Sequence, residues 1–160
     1  MFQNTLTMQA SPPVCTPHPA LSQLDKLVGT WRVWDPSGAD AVRGQVTCEW
    51  MDGGFYLMQY IDLDTTKGVE IIGYDEECQM LKSHFFGHTG ERREYVYEIE
   101  DDTLIISIES PNICGDFVGT FSEDGSAYSG SWEWTQGGVE MGYDMTMARI
   151  RPARSNRYDF

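Results

Sequence analysis

The sequence predicts an all-β protein: a single antiparallel, largely up-and-down β-barrel of about 8–10 strands, closed at one end by a short N-terminal helix. Three observations carry that prediction. Short strand-like runs, separated by turns rich in Gly, Asp and Ser, follow one another from Gly29 to Arg151. The gaps between them leave no room for crossover helices, so nearest-neighbour antiparallel pairing is the simplest topology. Finally, an apolar, helix-like stretch, Leu21 to Val28, leads directly into Gly29-Thr30-Trp31, the start of the first strand.

The elements follow in order. Residues 1–17 contain Ser11-Pro12-Pro13 and Pro17 and read as a flexible arm. Residues 18–151 form the barrel domain. Pro19 opens a helix that runs to about Lys26, with Leu21, Leu24, Leu27 and Val28 as its apolar stripe. Thr30–Trp34 is the first strand and ends at the turn Asp35-Pro36-Ser37-Gly38. Gly44–Trp50 and Phe55–Asp62 flank Met51-Asp52-Gly53-Gly54, a tight hairpin. Val69–Tyr74 and Gln79–Phe86 flank Asp75-Glu76-Glu77-Cys78, and Arg92–Ile99 and Leu104–Glu109 flank Glu100-Asp101-Asp102. Phe117–Phe121 and Tyr128–Trp134 flank Ser122-Glu123-Asp124-Gly125, and Val139–Ile150 is the last long strand. Residues 152–160 read as a flexible tail.

At 160 residues the chain has the length of one domain with one good core. Its 25 acidic and 11 basic residues give a net charge of −14, which repels phosphate backbones and anionic membrane surfaces. Nucleic acid and membrane are therefore not expected partners. No Lys or Arg precedes Lys26, and no run approaches the roughly 18 apolar residues of a membrane helix. The expected location is cytoplasmic. Cys15, Cys48, Cys78 and Cys114 form no CxxC pair, so neither a zinc site nor a redox motif is expected. Cys48 and Cys114 lie in apolar strand-like runs and are expected to be reduced and buried.

Alternation assigns some faces. Tyr95, Tyr97 and Ile99 alternate with Glu94, Val96 and Glu98, which points the tyrosines inward. Tyr143, Met145, Met147 and Arg149 share one face, as do Val46, Cys48 and Trp50. Met80, Lys82, His84 and Phe86 share a face that is only partly apolar. On the third strand Tyr56, Met58 and Tyr60 oppose Phe55, Leu57, Gln59 and Ile61, and the choice stays open because both faces are apolar. A one-residue slip would reverse every assignment.

The runs Leu24-Asp25-Lys26-Leu27-Val28-Gly29-Thr30-Trp31, Ile71-Ile72-Gly73-Tyr74-Asp75, Gly119-Thr120-Phe121-Ser122-Glu123-Asp124-Gly125 and Asp144-Met145-Thr146-Met147-Ala148-Arg149 together resemble a bacterial family of lipocalin-like (calycin) barrels. The resemblance extends from about Leu21 to Arg151. It implies a structural role for Trp31 at the start of the first strand and for Arg149, which packs over that indole from the last strand. The chain departs from the haem-binding nitrobindin-like barrels. Arg32-Val33-Trp34 stands where those carry Gly-x-Gly after the tryptophan, and no histidine follows His88. No cofactor is expected.

His84 and His88 form an H-x-x-x-H pair, but four residues of extended strand span roughly 13 Å, too far for one ion. No metal is expected. His84 on a barrel wall is a candidate for proton transfer, with Tyr95 beside it as a second catalytic candidate. Glu49 and Glu98 would titrate high if buried, yet their alternation with apolar neighbours points them to solvent. No nucleophile elbow, phosphate loop or dinucleotide fingerprint is present.

Aromatic and methionine side chains on the strands carry the functional expectation. Trp50, Tyr56, Met58, Tyr60, Tyr74, His84, Phe86, Tyr95, Tyr97, Trp132, Trp134, Tyr143 and Met145 are the candidate ligand-binding residues. Eight strands enclose an interior that side chains just fill, whereas about ten leave space for a ligand. The leading expectation is a barrel that binds a small hydrophobic or aromatic molecule. The alternatives are a cofactor-independent isomerase, cyclase or lyase of a secondary metabolite, and a filled structural barrel. The chain is expected to be a monomer or a homodimer.

Overall fold

A computed structural model describes residues 15–38 and 41–151, Arg151 by its backbone alone. The arm expected over 1–17 falls outside that range up to residue 14, and so does the tail expected over 152–160. A helical turn, η1 (Pro19–Leu27), precedes ten strands: β1 (Gly29–Trp34), β2 (Val42–Trp50), β3 (Tyr56–Leu63), β4 (Lys67–Asp75), β5 (Met80–Gly87), β6 (Arg92–Glu100), β7 (Thr103–Ser110), β8 (Ile113–Phe121), β9 (Ala127–Gln136) and β10 (Val139–Arg151). Each strand pairs antiparallel with its sequence neighbours, and β10 pairs with β1 to close the barrel. Among the described residues no helix is long and apolar enough to cross a membrane.

The helix is 3₁₀ throughout rather than α-helical. The leucine spacing accounts for this. Leu21, Leu24 and Leu27 recur every third residue, and a helix of three residues per turn stacks them in one line. All three are buried in the barrel mouth, while Val28 leaves the stripe as the C-terminal cap. The tight hairpin between β2 and β3 closes through Gly54 N–H donating to Met51 O at 3.0 Å, and Gly53 and Gly54 supply its positive φ angles of 95° and 74°. Strand β8 begins four residues before the expected Phe117. Gly115 breaks the apolar pattern there, but it is glycine because Trp134 on the paired strand occupies the space a Cβ would take.

The register lays inward-facing residues in rows around the wall. One row runs Cys48, Gln59, Glu70, Phe85, Arg93 across β2 to β6. Another runs Tyr74, Leu81, Tyr97, Ile106, Phe117, Trp132, Tyr143 across β4 to β10. The fully buried core sits at the helix end of the barrel, around Leu24, Leu27, Trp31, Leu57, Ile72, Leu104 and Phe117.

One seam is incomplete. Strands β6 and β7 pair from Val96↔Ser107 to Glu100↔Thr103 and no further. Continuing that register would oppose Tyr95 to Ile108, Glu94 to Glu109 and Arg93 to Ser110, and none of these pairs forms. Glu94 against Glu109 would set like charges side by side, which disfavours closure.

Candidate functional site

The two ends of the barrel are built differently. At the helix end, the Trp31 indole is fully buried and donates through Nε1 to Leu27 O at 2.8 Å. The Arg149 guanidinium lies 4.2 Å from the indole centroid. Its Nη1 donates to Val28 O, and its Nη2 donates to Lys26 O at 3.1 Å and Gly125 O at 3.4 Å. The cation thus stacks on a ring while satisfying carbonyls at the helix terminus. Trp50 donates from Nε1 to Asp25 Oδ1 at 2.8 Å, and Tyr74 stacks on His18 at 3.6 Å. Trp50 and Tyr74, expected on a ligand-binding wall, instead fasten the helix to the barrel.

Above this plug lies a cavity of about 350 Å³. It is lined by Tyr95, Tyr97, Trp132, Trp134, Tyr143 and Met145 among the expected residues, and by Gln59, Glu70, Arg93, Ile106 and Tyr128 among those not expected. Tyr95 and Phe117 both pack against Trp132, and Trp134 meets Tyr143 edge-on at 5.8 Å. The cavity reaches Leu63, Thr65 and Thr66 at one lip and Glu91 at another, both at the end away from the helix.

The other expected ligand residues face outward. Tyr56, Tyr60 and Phe86 are exposed on the outer wall, and Met58 lies on the same outer face of β3. The open choice on β3 is settled by Leu57, fully buried, and by Gln59 and Ile61, which line the cavity. His84 is also outside, where Nδ1 sits 3.3 Å from Glu94 Oε1. Ser83 and Phe85 hold the inner positions of β5. The expected wall position of His84 is therefore corrected, and a proton-transfer role inside the barrel loses its geometric basis. Glu49 and Glu98 face solvent, as their alternation suggested. All four cysteines are free; Cys48 is buried, whereas Cys114, expected to be buried, is exposed on the outer face of β8.

Sequence reasoning missed the polar centre of the cavity. Glu70 is 3% exposed. Its Oε1 accepts from Ser83 Oγ at 2.5 Å and from Tyr97 Oη at 2.7 Å, and its Oε2 accepts from Gln59 Nε2 at 3.0 Å. Gln59 Oε1 in turn accepts from Cys48 Sγ at 3.3 Å. Burial raises the Glu70 carboxyl above its ordinary range, against the opposing pull of the Ser83 and Tyr97 hydroxyls. Burial and the neighbouring Glu70 charge push Tyr97 well up, and the same two causes raise Tyr95. When Glu70 is ionised, three donors surround it. When it carries a proton on Oε2, the Gln59 amide must turn to offer its oxygen, which passes an amide N–H toward Cys48. The site therefore holds a buried carboxyl whose hydrogen bonds can be satisfied in either protonation state.

No protein-family model matches this chain, and no curated protein matches it significantly.

Proposed function

We propose that the protein binds a small, largely hydrophobic or aromatic molecule inside the barrel. The observation that carries this reading is the cavity itself. About 350 Å³ is lined by Tyr, Trp, Met and Ile side chains with a few convergent polar groups, as small-molecule sites are. Its size also argues against a barrel filled to the centre. The Trp31–Arg149 stack and the helix plug support placing the chain with the lipocalin-like barrels. On this reading the protein is a cytoplasmic binder, and its acidic surface serves solubility.

The test is native mass spectrometry on protein purified from its own host. A stoichiometric small molecule, released on denaturation, is the expected result. A ligand-free mass together with no saturable uptake of an added apolar dye would overturn the reading.

The buried Glu70 favours a second reading, a cofactor-independent isomerase, cyclase or lyase acting in the same cavity. Glu70 would move the proton, and the Tyr97 and Ser83 hydroxyls would hold the charge that remains. Glu70→Gln keeps the shape and removes the exchangeable proton. If the protein turns over the molecule it carries, this variant should retain binding and lose turnover; a variant that keeps full turnover would dismiss Glu70 as the acid or base.

A further inference from the structure

The unpaired seam between β6 and β7 is lined on its inner side by the same residues as the cavity. Phe85, Arg93, Ile108, Ile113 and Gln136 border both the cavity and a second cleft that continues outward past Glu94 and Glu109. The seam is therefore a slit through the wall, with Arg93 at its inner lip.

Arg93 is a solvent-exposed cation at the edge of the cavity. Among the described residues it is the one Lys or Arg that lines the cavity, and it forms no ion pair. Its neighbour Arg92 lies 5.7 Å from the Phe86 ring and lines the outer cleft without reaching the cavity. The nearby Glu91 is already engaged, accepting from the Thr89 hydroxyl and from Thr89 N–H at 3.1 Å. Glu94 is drawn to His84 on the outer surface.

We propose that Arg93, at the inner lip of the slit between β6 and β7, binds the acidic group of an amphipathic organic acid on the cavity side of Glu94 and Glu109, while the apolar part of the molecule fills the cavity beside Tyr95 and Trp132. This rests on the reading of the cavity as a ligand site and adds the ligand's chemical class. A guanidinium at the lip suits a planar carboxylate through paired N–H donors. The net charge of −14 opposes anions at long range, which favours a single charge over a polyphosphate. An apolar body supplies the attraction that the charge alone lacks.

A matched pair of dyes tests the inference: 1-anilinonaphthalene-8-sulfonate, which carries one acidic group, and N-phenyl-1-naphthylamine, the same skeleton without it. Wild type should bind both. Arg93→Gln should weaken the anionic dye by about tenfold or more and leave the neutral dye within about twofold. Arg93→Lys should fall between, and Arg32→Gln, exposed on β1 and outside both the cavity and the cleft, should match wild type. Hydrogen exchange with the anionic dye bound should show protection at residues 92–95 and 108–110. If both dyes bind and Arg93→Gln alters neither affinity, or if protection falls on the outer face of β3–β5, the acidic-group assignment is wrong and the cavity reading stands. If neither dye binds wild type, the cavity reading itself fails.

Discussion

The two ends of this barrel use the same kinds of side chain for opposite purposes. At the helix end Trp31 is sealed between η1 and Arg149, Trp50 is tied to Asp25, and Tyr74 is stacked on His18. At the other end Trp132, Trp134 and Tyr143 surround space, and Arg93 lines it with no ion-pair partner among the described residues. An aromatic residue on a barrel strand thus says little until its end of the barrel is known. Where a plug supplies the matching surface, the ring becomes core. Where none does, the ring becomes a wall.

The largest effect that would break this contrast is on stability. Trp31→Ala should cost about 3–5 kcal/mol, as expected for a fully buried aromatic, whereas Trp134→Ala on the cavity wall should cost about 1 kcal/mol. Equal losses in denaturant unfolding would mean that the two ends are not distinct. Arg149→Leu sharpens the same point. It removes the stack and strips three carbonyls of their donor, so a loss of about 1.5–3 kcal/mol is expected, with Arg149→Lys recovering only part of it.

Much of the fold was legible because hairpin barrels advertise themselves locally. All ten strands lie within a few residues of the expected ranges, since each is bounded by its own turn residues. The site was less legible because facing is a non-local property. The outer faces of β3 to β5 carry Tyr56, Met58, Tyr60, Val69, Ile71 and Phe86, so on these strands hydrophobicity does not distinguish inside from outside. The inner face instead carries Gln59, Glu70 and Ser83, which are tolerated there because they satisfy one another. One signal was available. Taking Trp31 as inward and stepping across the hairpins gives Trp31↔Val46↔Ile61↔Gly68, and the neighbouring row Cys48↔Gln59↔Glu70 follows. That step requires knowing the turn lengths to the residue, and an error of one would have turned the carboxylate outward.

Two pH effects separate the buried carboxyl from the surface ones. The folded state raises the Glu70 pKa, so its contribution is fully present below the ordinary Glu range and is lost as pH rises through the folded value. Wild type should therefore lose stability on the way from acid toward neutral pH relative to Glu70→Gln, seen as a fall of the urea midpoint. A difference between the two proteins that does not change with pH would contradict the buried, proton-binding carboxyl.

The smallest effect comes from the exposed turns. Asp35, held by Ser37 and Arg43, and Asp124, held by Ser126 and Ser122, are each lowered from 3.8 to about 2. Their contribution is present above the unfolded value and is lost as pH falls through about 2. Asp35→Asn and Asp124→Asn should lower neutral stability slightly and converge with wild type in acid, which flattens the acid limb of the unfolding curve. A loss at neutral pH as large as that of Arg149→Leu would show these turns to be part of the core.

The most direct test of the central claim, that the end away from the helix encloses a ligand cavity while the helix end is solid, is a titration of N-phenyl-1-naphthylamine against wild type and Ile106→Trp. Ile106 lines the cavity beside Tyr97 and Phe117, and an indole there should occupy the space at a cost of about 1–3 kcal/mol in stability. Saturable one-to-one binding to wild type and none to a folded Ile106→Trp is the expected result. Unchanged binding to the filled variant, or none to wild type, would contradict it.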